Sequence, residues 1–299
     1  MRLLSLVLFG WTFLSAATAA TDNPSNGRSF GQAVEVGKIA NHAIVELSGL
    51  ACSRLNEKVL WAINDSGNQP LLFPVGSDGA DLGSVSIIGA DNRDWEDVAS
   101  FMLGNTAYLL IADVGDNFGY HKSSTIYIIR EPTITGSRLK KNITAKIAFR
   151  IRFIFEDGPR DCEAVAVDSE NRKILLLTKR TLPVALYELP LELDKKEATG
   201  IARRIKEVPG IRLPSAMDIS PQGNSAAVLT YHQAYLFVGR TGENWPTVFS
   251  RTPRILRFPA LLQQEAICFS KNGKTVYVSS EGRSAPLLRI DLDAFTSTQ

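Results

Sequence analysis

One phrase, met in five variants, limits what this chain can fold into. The variants are "LSGLACS" (47–53), "DWEDVAS" (94–100), "DCEAVAVD" (161–168), "SAMDISP" (215–221) and "QEAICFS" (264–270), each with small and apolar residues behind a polar or acidic start. A turn signal follows each one: "RLNEK", "LGN", "SENRK", "PQGN" and "KNGK". Asn, Gly and Pro supply the backbone angles that tight turns need. Then comes a second apolar run, "VLWAIND", "AYLLIADVGDN", "KILLLTKR", "AAVLTYH" or "TVYVSSEG". A third run follows, as in "PLLFPV" and "TIYIIRE". Short apolar runs bounded by such turns read as strands.

With Ser48, Glu96, Glu163, Met217 and Glu265 aligned, the spacings are 48, 67, 54 and 48 residues by subtraction. Three or four short strands recurring at that interval predict an all-β fold, a β-propeller. One such sheet cannot bury both of its faces, so the units must stack on one another around an axis. The count gives five blades, or six if the longest gap hides a degenerate one. "AKIAFRIRFIF" (145–155) reads as a single fourth strand in that gap. The residues after Glu265 and those before Ser48 together amount to one more repeat. "AVEVGKI" (33–39) would then be the outer strand of the last blade, closing the ring and removing an open edge. A single helical turn is expected within 252–266. A two-domain α/β arrangement is disfavoured, because the strands follow one another without intervening helices.

Met1-Arg2, the apolar run Leu3–Leu14 and Ala17-Thr18-Ala19 have the form of a secretory signal peptide. On that reading residues 1–19 are removed, and 20–299 form a single propeller domain, periplasmic or secreted. No later stretch has the length or apolarity to span a membrane. The chain carries 33 Lys and Arg against 31 Asp and Glu. That balance gives no reason to expect nucleic acid or an anionic membrane as partner, and a monomer is expected. Cys52, Cys162 and Cys268 allow at most one disulfide, so at least one thiol stays free.

The first two strands of a blade are antiparallel, so the start of one lies beside the end of the other. Strand-one starts supply Glu96, Glu163 and Glu265, with Asp94 and Asp161 just outside. Strand-two ends supply Asn64, Asp65, Asp113, Asp116, Asn117, Lys179, Arg180, Tyr231, His232 and Glu281. All are expected on one rim, as an acidic central funnel that binds a ligand or partner. Trp95 either walls that funnel or packs between blades, as Trp61 and Trp245 are expected to do. The Asn, Asp and Gly residues of "NDSGN" and "DVGDN" are also what tight turns require.

Carboxylates gathered at one axis repel each other unless a positive charge intervenes. Lys179 and Arg180 could supply it, or a cation bound by Glu96, Glu163 and Glu265. Hard oxygen donors select calcium, if any metal is held. Three His with no metal-site spacing disfavour zinc. A cation would make metal-assisted hydrolysis available, with His232, Glu163 or Lys179 as candidate catalytic groups and His121 a further candidate base. No nucleophile elbow, phosphate loop or dinucleotide fingerprint is present.

The set "SGLACS…VLWAINDSGN", "DWEDVA…IADVGDN", "DCEAVAVD…LLLTKR" and "QEAICFS…SSEG" resembles a family of exported, uncharacterised bacterial β-propeller proteins. The resemblance spans about residues 45–292. It is more distantly similar to calcium-dependent propellers that include phytases, esterase-like proteins and lactonases, whose metal ligands do not transfer residue by residue. The pattern departs at Leu229, where the family commonly has Arg. Three readings follow. One is a module that binds a small molecule or a protein, with or without calcium. Another is a metal-dependent hydrolase of phosphoesters or carboxylic esters. The last is an interaction scaffold with no small-molecule site.

Overall fold

The computed structural model describes residues 33–134 and 143–292. The expected signal peptide lies outside the described residues. Twenty strands and one helical turn make up the regular structure among them. After β1 (Val34–Lys38), strands β2 (Leu47–Cys52), β3 (Val59–Asn64), β4 (Leu71–Gly76) and β5 (Val85–Ile88) pair antiparallel in sequence order. The second unit is β6 (Trp95–Leu103), β7 (Thr106–Asp113), β8 (Ser124–Arg130) and β9 (Ile143–Phe155). The third is β10 (Cys162–Asp168), β11 (Lys173–Thr178), β12 (Val184–Pro190) and β13 (Glu197–Val208). The fourth is β14 (Pro214–Ile219), β15 (Ser225–Thr230), β16 (Ala234–Val238) and β17 (Arg254–Leu256). The last comprises β18 (Gln264–Phe269), β19 (Thr275–Ser280) and β20 (Pro286–Asp291), with β1 on the outer edge of β20. The architecture is all-β and of propeller type.

The helical turn α1 (Trp245–Val248) precedes β17 and does not fall within 252–266. Asn244 caps it by accepting a hydrogen bond from the Thr247 amide, and Pro246 suits a first turn whose N–H groups have no helical partner. The stretch expected to turn forms β17 instead.

Alternation along each first strand explains why these units stack. In β10, Val165 and Val167 face a core shared with the second unit, while Ala164 and Ala166 face a core shared with the fourth. A strand with both faces apolar needs a neighbour on each side. Five such cores occur, between units one and two, two and three, three and four, four and five, and five and one. Burying one Leu or Ile there stabilises the fold by roughly 1.5–3 kcal/mol. Cys52, Cys162 and Cys268 are free and buried in these cores.

The outer strands carry a second kind of pairing. β9 runs parallel to β5 through Ile143–Lys146 and parallel to β13 through Arg150–Phe155. The three units are thereby stitched into one twelve-stranded sheet at their outer edge, and the fourth and fifth remain separate four-stranded sheets. The length of β9, together with the connection before it, accounts for the 67-residue interval read between Glu96 and Glu163.

Candidate functional site at the acidic hub

Each unit's first strand slips register against its second at a single residue. The slipped residues are Ser48, Glu96, Glu163, Ser215 and Glu265. Such a bulge adds one residue and re-aims its side chain. In the fourth unit this residue is Ser215. Met217, two residues on, is fully buried in a core. The two serines close contacts between units: Ser48 Oγ donates to Trp95 O at 2.9 Å and Ser215 Oγ to Gln264 O at 2.8 Å. The three glutamates instead meet at the hub.

Two of them, Glu96 and Glu163, meet directly. Glu96, Asp161 and Glu163 each offer a carboxylate oxygen within 4.8 Å of the other two, and so do Asp65, Asp94 and Glu96. Glu96 therefore belongs to both triplets. Lys179 Nζ is paired with Glu163 Oε2 and donates to Tyr231 Oη at 2.5 Å. The Tyr231 hydroxyl hydrogen-bonds Glu265 in turn. Arg180 is paired with Asp161 and lies 3.6 Å from Glu163 Oε1. Lys179 and Arg180 thus form their ion pairs on the Asp161–Glu163 side of the hub, while on the Asp65–Asp94–Glu96 side Lys179 and Arg93 only partly offset the mutual repulsion of the carboxyls.

The electrostatics follow from this division. Burial, then Asp65, pushes Asp94 up to about 7, and the two carboxyls are hydrogen-bonded to each other. Glu96 is pushed well above the usual carboxylate range by burial and by Glu163, Asp65 and Asp94. Burial raises Glu265 to about 7, and Glu163 to about 8 against the pull of Lys179. Burial draws Lys179 down, but Glu163 and Glu265 outweigh it and push it up. Glu281 is raised by burial, then by Asp65 and Glu46.

Gly115 is required by this geometry. A Cβ there would fall on Glu96 Oε1 and Asp94 Oδ2. Gly115→Ala must move these carboxylates, at roughly 1–3 kcal/mol for an inserted methyl. Its expected outcome is a cation affinity lower by about tenfold or more, with the circular dichroism of the fold retained, as read by calorimetric titration.

Other expected rim residues have different work. Trp95 is wholly buried, its indole N–H donating to Asp91 O at 2.9 Å and its ring near Tyr127, so it packs between units and walls no funnel. Trp61 and Trp245 are buried in the cores between units, as expected. Asn64 Oδ1 accepts from the Val45 and Glu46 amides, and its amide group donates to Ala43 O. Asp113 accepts from the Asp94 amide, and Asp116 from the Tyr120 and His121 amides. These three side chains build loops and present no free oxygen pair to a ligand. Asn117, His121 and His232 are exposed on mouth-side loops. Among the described residues, neither candidate metal group contains a histidine.

Asp97 was absent from the sequence reading of the site. It is wholly buried one residue beyond Glu96, and accepts from the amides of Val98 (2.8 Å), Val165 (2.8 Å) and Met217 (3.1 Å). One carboxylate thus joins β6, β10 and β14. At the opposite end of the first strands, a cavity of about 210 Å³ is lined by Arg54 and Lys271 together with Asp168 and Glu170.

No protein-family model matches the chain, and no curated protein aligns with it. Among solved structures, the crystal structure of a nidogen/laminin complex is similar over 83% of this chain and 77% of that chain, at 14% identity and a TM-score of 0.45.

Proposed function

We propose that this chain is an exported, closed five-bladed β-propeller that works as a ligand-binding module and seats a divalent cation at its hub. The ring order of the five cores and the pairing of β1 with β20 support five blades and closure. One observation carries the cation: Asp65, Asp94 and Glu96 converge within 4.8 Å on the side of the hub where Lys179 and Arg180 form no ion pair. The donor set is all oxygen and anionic, which fits calcium. Glu163 and Glu265, grouped with Glu96 as metal ligands in the sequence reading, are engaged by Lys179 and Tyr231 and would support the site from outside.

The test is calorimetric titration with calcium chloride. The wild type is expected to bind one ion with a Kd of about 0.1–1 mM. Glu96→Gln is expected to weaken binding by roughly tenfold or more, with folding intact. Absence of heat and of any rise in Tm at about 10 mM calcium, well above that range, overturns the reading.

A hydrolase of phosphoesters or carboxylic esters is the second reading. The buried Lys179–Glu163 pair beside the same carboxylates holds one proton between its two groups, which it could pass to or from a bound ester. Turnover on a phosphatase and esterase panel, lost in both Glu96→Gln and Glu163→Gln, selects this reading over simple binding.

A further inference from the structure

The most exposed large apolar side chains among the described residues sit at the end of the molecule that carries the acidic hub. Leu262 is 88% exposed, Phe118 and Tyr120 are each 78% exposed, and Leu182 is 64% exposed. All four sit on the loops that enter first strands or leave second strands, at the mouth end. Other exposed apolar residues, such as Ile88, Ile154 and Ile201, lie on outermost strands. Single exposed apolar residues are ordinary, but a ring of them at one end of a molecule marks an interaction site.

The aromatic pair is held in place. Asp116 accepts the amides of Tyr120 and His121, its own amide donates to Asp161 Oδ1 at 3.1 Å, and the Phe118 and Tyr120 rings stack with centroids 5.6 Å apart. The loop that presents both rings is therefore fastened to the hub itself. Rigid aromatic side chains on a fastened loop lose little freedom on binding, which makes them effective anchors.

We propose that this mouth is a protein-docking face whose partner inserts a Lys or Arg side chain toward the hub and packs apolar residues against Phe118, Tyr120, Leu182 and Leu262. The inference rests on the hub as the binding centre proposed above and names its partner class. Charge complementarity selects the occupant. Asp65, Asp94, Glu96, Asp161, Glu163, Glu265 and Glu281 meet at the hub against Lys179 and Arg180, and a carboxyl whose proton is held by burial gives it up when a basic side chain approaches. A basic group among apolar neighbours matches both the centre and the ring. An anionic lipid surface matches the ring and is repelled by the centre.

The experiment pans a phage-displayed library of random peptides against the full chain in calcium, then measures the enriched peptides by titration. Enriched peptides are expected to carry Lys or Arg beside aromatic or aliphatic residues. The triple variant Phe118→Ser, Tyr120→Ser, Leu262→Ser is expected to bind them at least tenfold more weakly, with its calcium isotherm and Tm unchanged. Peptides without a basic residue, peptides held equally by the triple variant, or no enrichment at all overturn the proposal. So does wild-type binding to acidic vesicles in place of peptides. Dimerisation of the wild type that the triple variant abolishes also overturns it, by assigning the face to a second copy. Loss of calcium binding in Glu96→Gln with peptide binding retained leaves the docking face standing and separates it from the cation site.

Discussion

Asp97→Ala is expected to be the most damaging single substitution in the molecule. It strands three amides, those of Val98, Val165 and Met217, in a buried space with no other acceptor supplied by the new side chain. An unsatisfied buried donor costs roughly 1–3 kcal/mol. Three of them come to at least about 3 kcal/mol, against a total stability of about 5–15 kcal/mol for an ordinary domain. The urea midpoint should fall accordingly with little change in m-value. Asp97→Asn keeps one acceptor oxygen and is expected to cost less, about 2 kcal/mol. If Asp97→Ala unfolds within about 0.5 kcal/mol of the wild type, as an ordinary surface substitution does, the carboxylate does not join the units. Asp218 acts similarly on a smaller scale, accepting from the Ile219 and Phe269 amides and so linking the fourth unit to the fifth.

The second large effect is on the pH dependence of stability, and its sign opposes that of most proteins with ion-paired carboxylates. Asp94 and Glu265 are raised to about 7 and Glu163 to about 8, and Glu96 is raised well above the usual carboxylate range. A carboxyl with a raised folded-state pKa binds its proton more tightly when folded. Its contribution is fully present below the unfolded value near 4 and is lost as pH rises through the folded value. Without a cation, stability should decline from about pH 4.5 through about pH 8. For Glu265 alone the loss is roughly 3 kcal/mol, or about 6–12 °C in Tm. Calcium at about 10 mM should restore roughly 1.4–2.7 kcal/mol of this at pH 8 and little at pH 5, where the ligands hold protons. Melting curves at both pH values, with calcium and with chelator, check it. A Tm that rises steadily from pH 5 to pH 8 in chelator would show that these carboxyls are not raised.

Much of this was legible in the sequence because the repeated units are built from two-sided apolar strands. The positions of Glu96, Glu163 and Glu265 followed from antiparallel pairing alone, and the structure brings all three to one hub. What sequence could not supply was register. "SAMDIS" suggested Met217 as the aligned position, but the slipped residue is Ser215, matching Ser48. The pattern Ser-Gly, Glu-Asp, Glu-Ala, Ser-Ala, Glu-Ala, a slipped residue followed by Gly, Ala or Asp, could have shown it. Acidic residues in sequence also do not declare their partners. Asp113 and Asp116 are taken up by backbone amides, whereas Asp65 and Asp94, only three residues or fewer from similar-looking ones, converge on Glu96. Trp95 and Glu96 are adjacent, yet the bulge at Glu96 turns one into a core and the other to the axis.

The parallel seams along β9 divide the molecule mechanically. The first three units share continuous backbone hydrogen bonding at their circumference, while the fourth is held to its neighbours by side chains and axial carboxylates and the fifth adds to these the Ala40–Gly79 and Gly282–Val45 backbone hydrogen bonds to the first. Transient opening, and the slowest and fastest amide exchange with solvent, should therefore segregate by unit. The long segments β9 and β13 act as a strap across one side, and transient opening is expected to begin opposite it, where Tyr231, Leu262 and Glu265 sit.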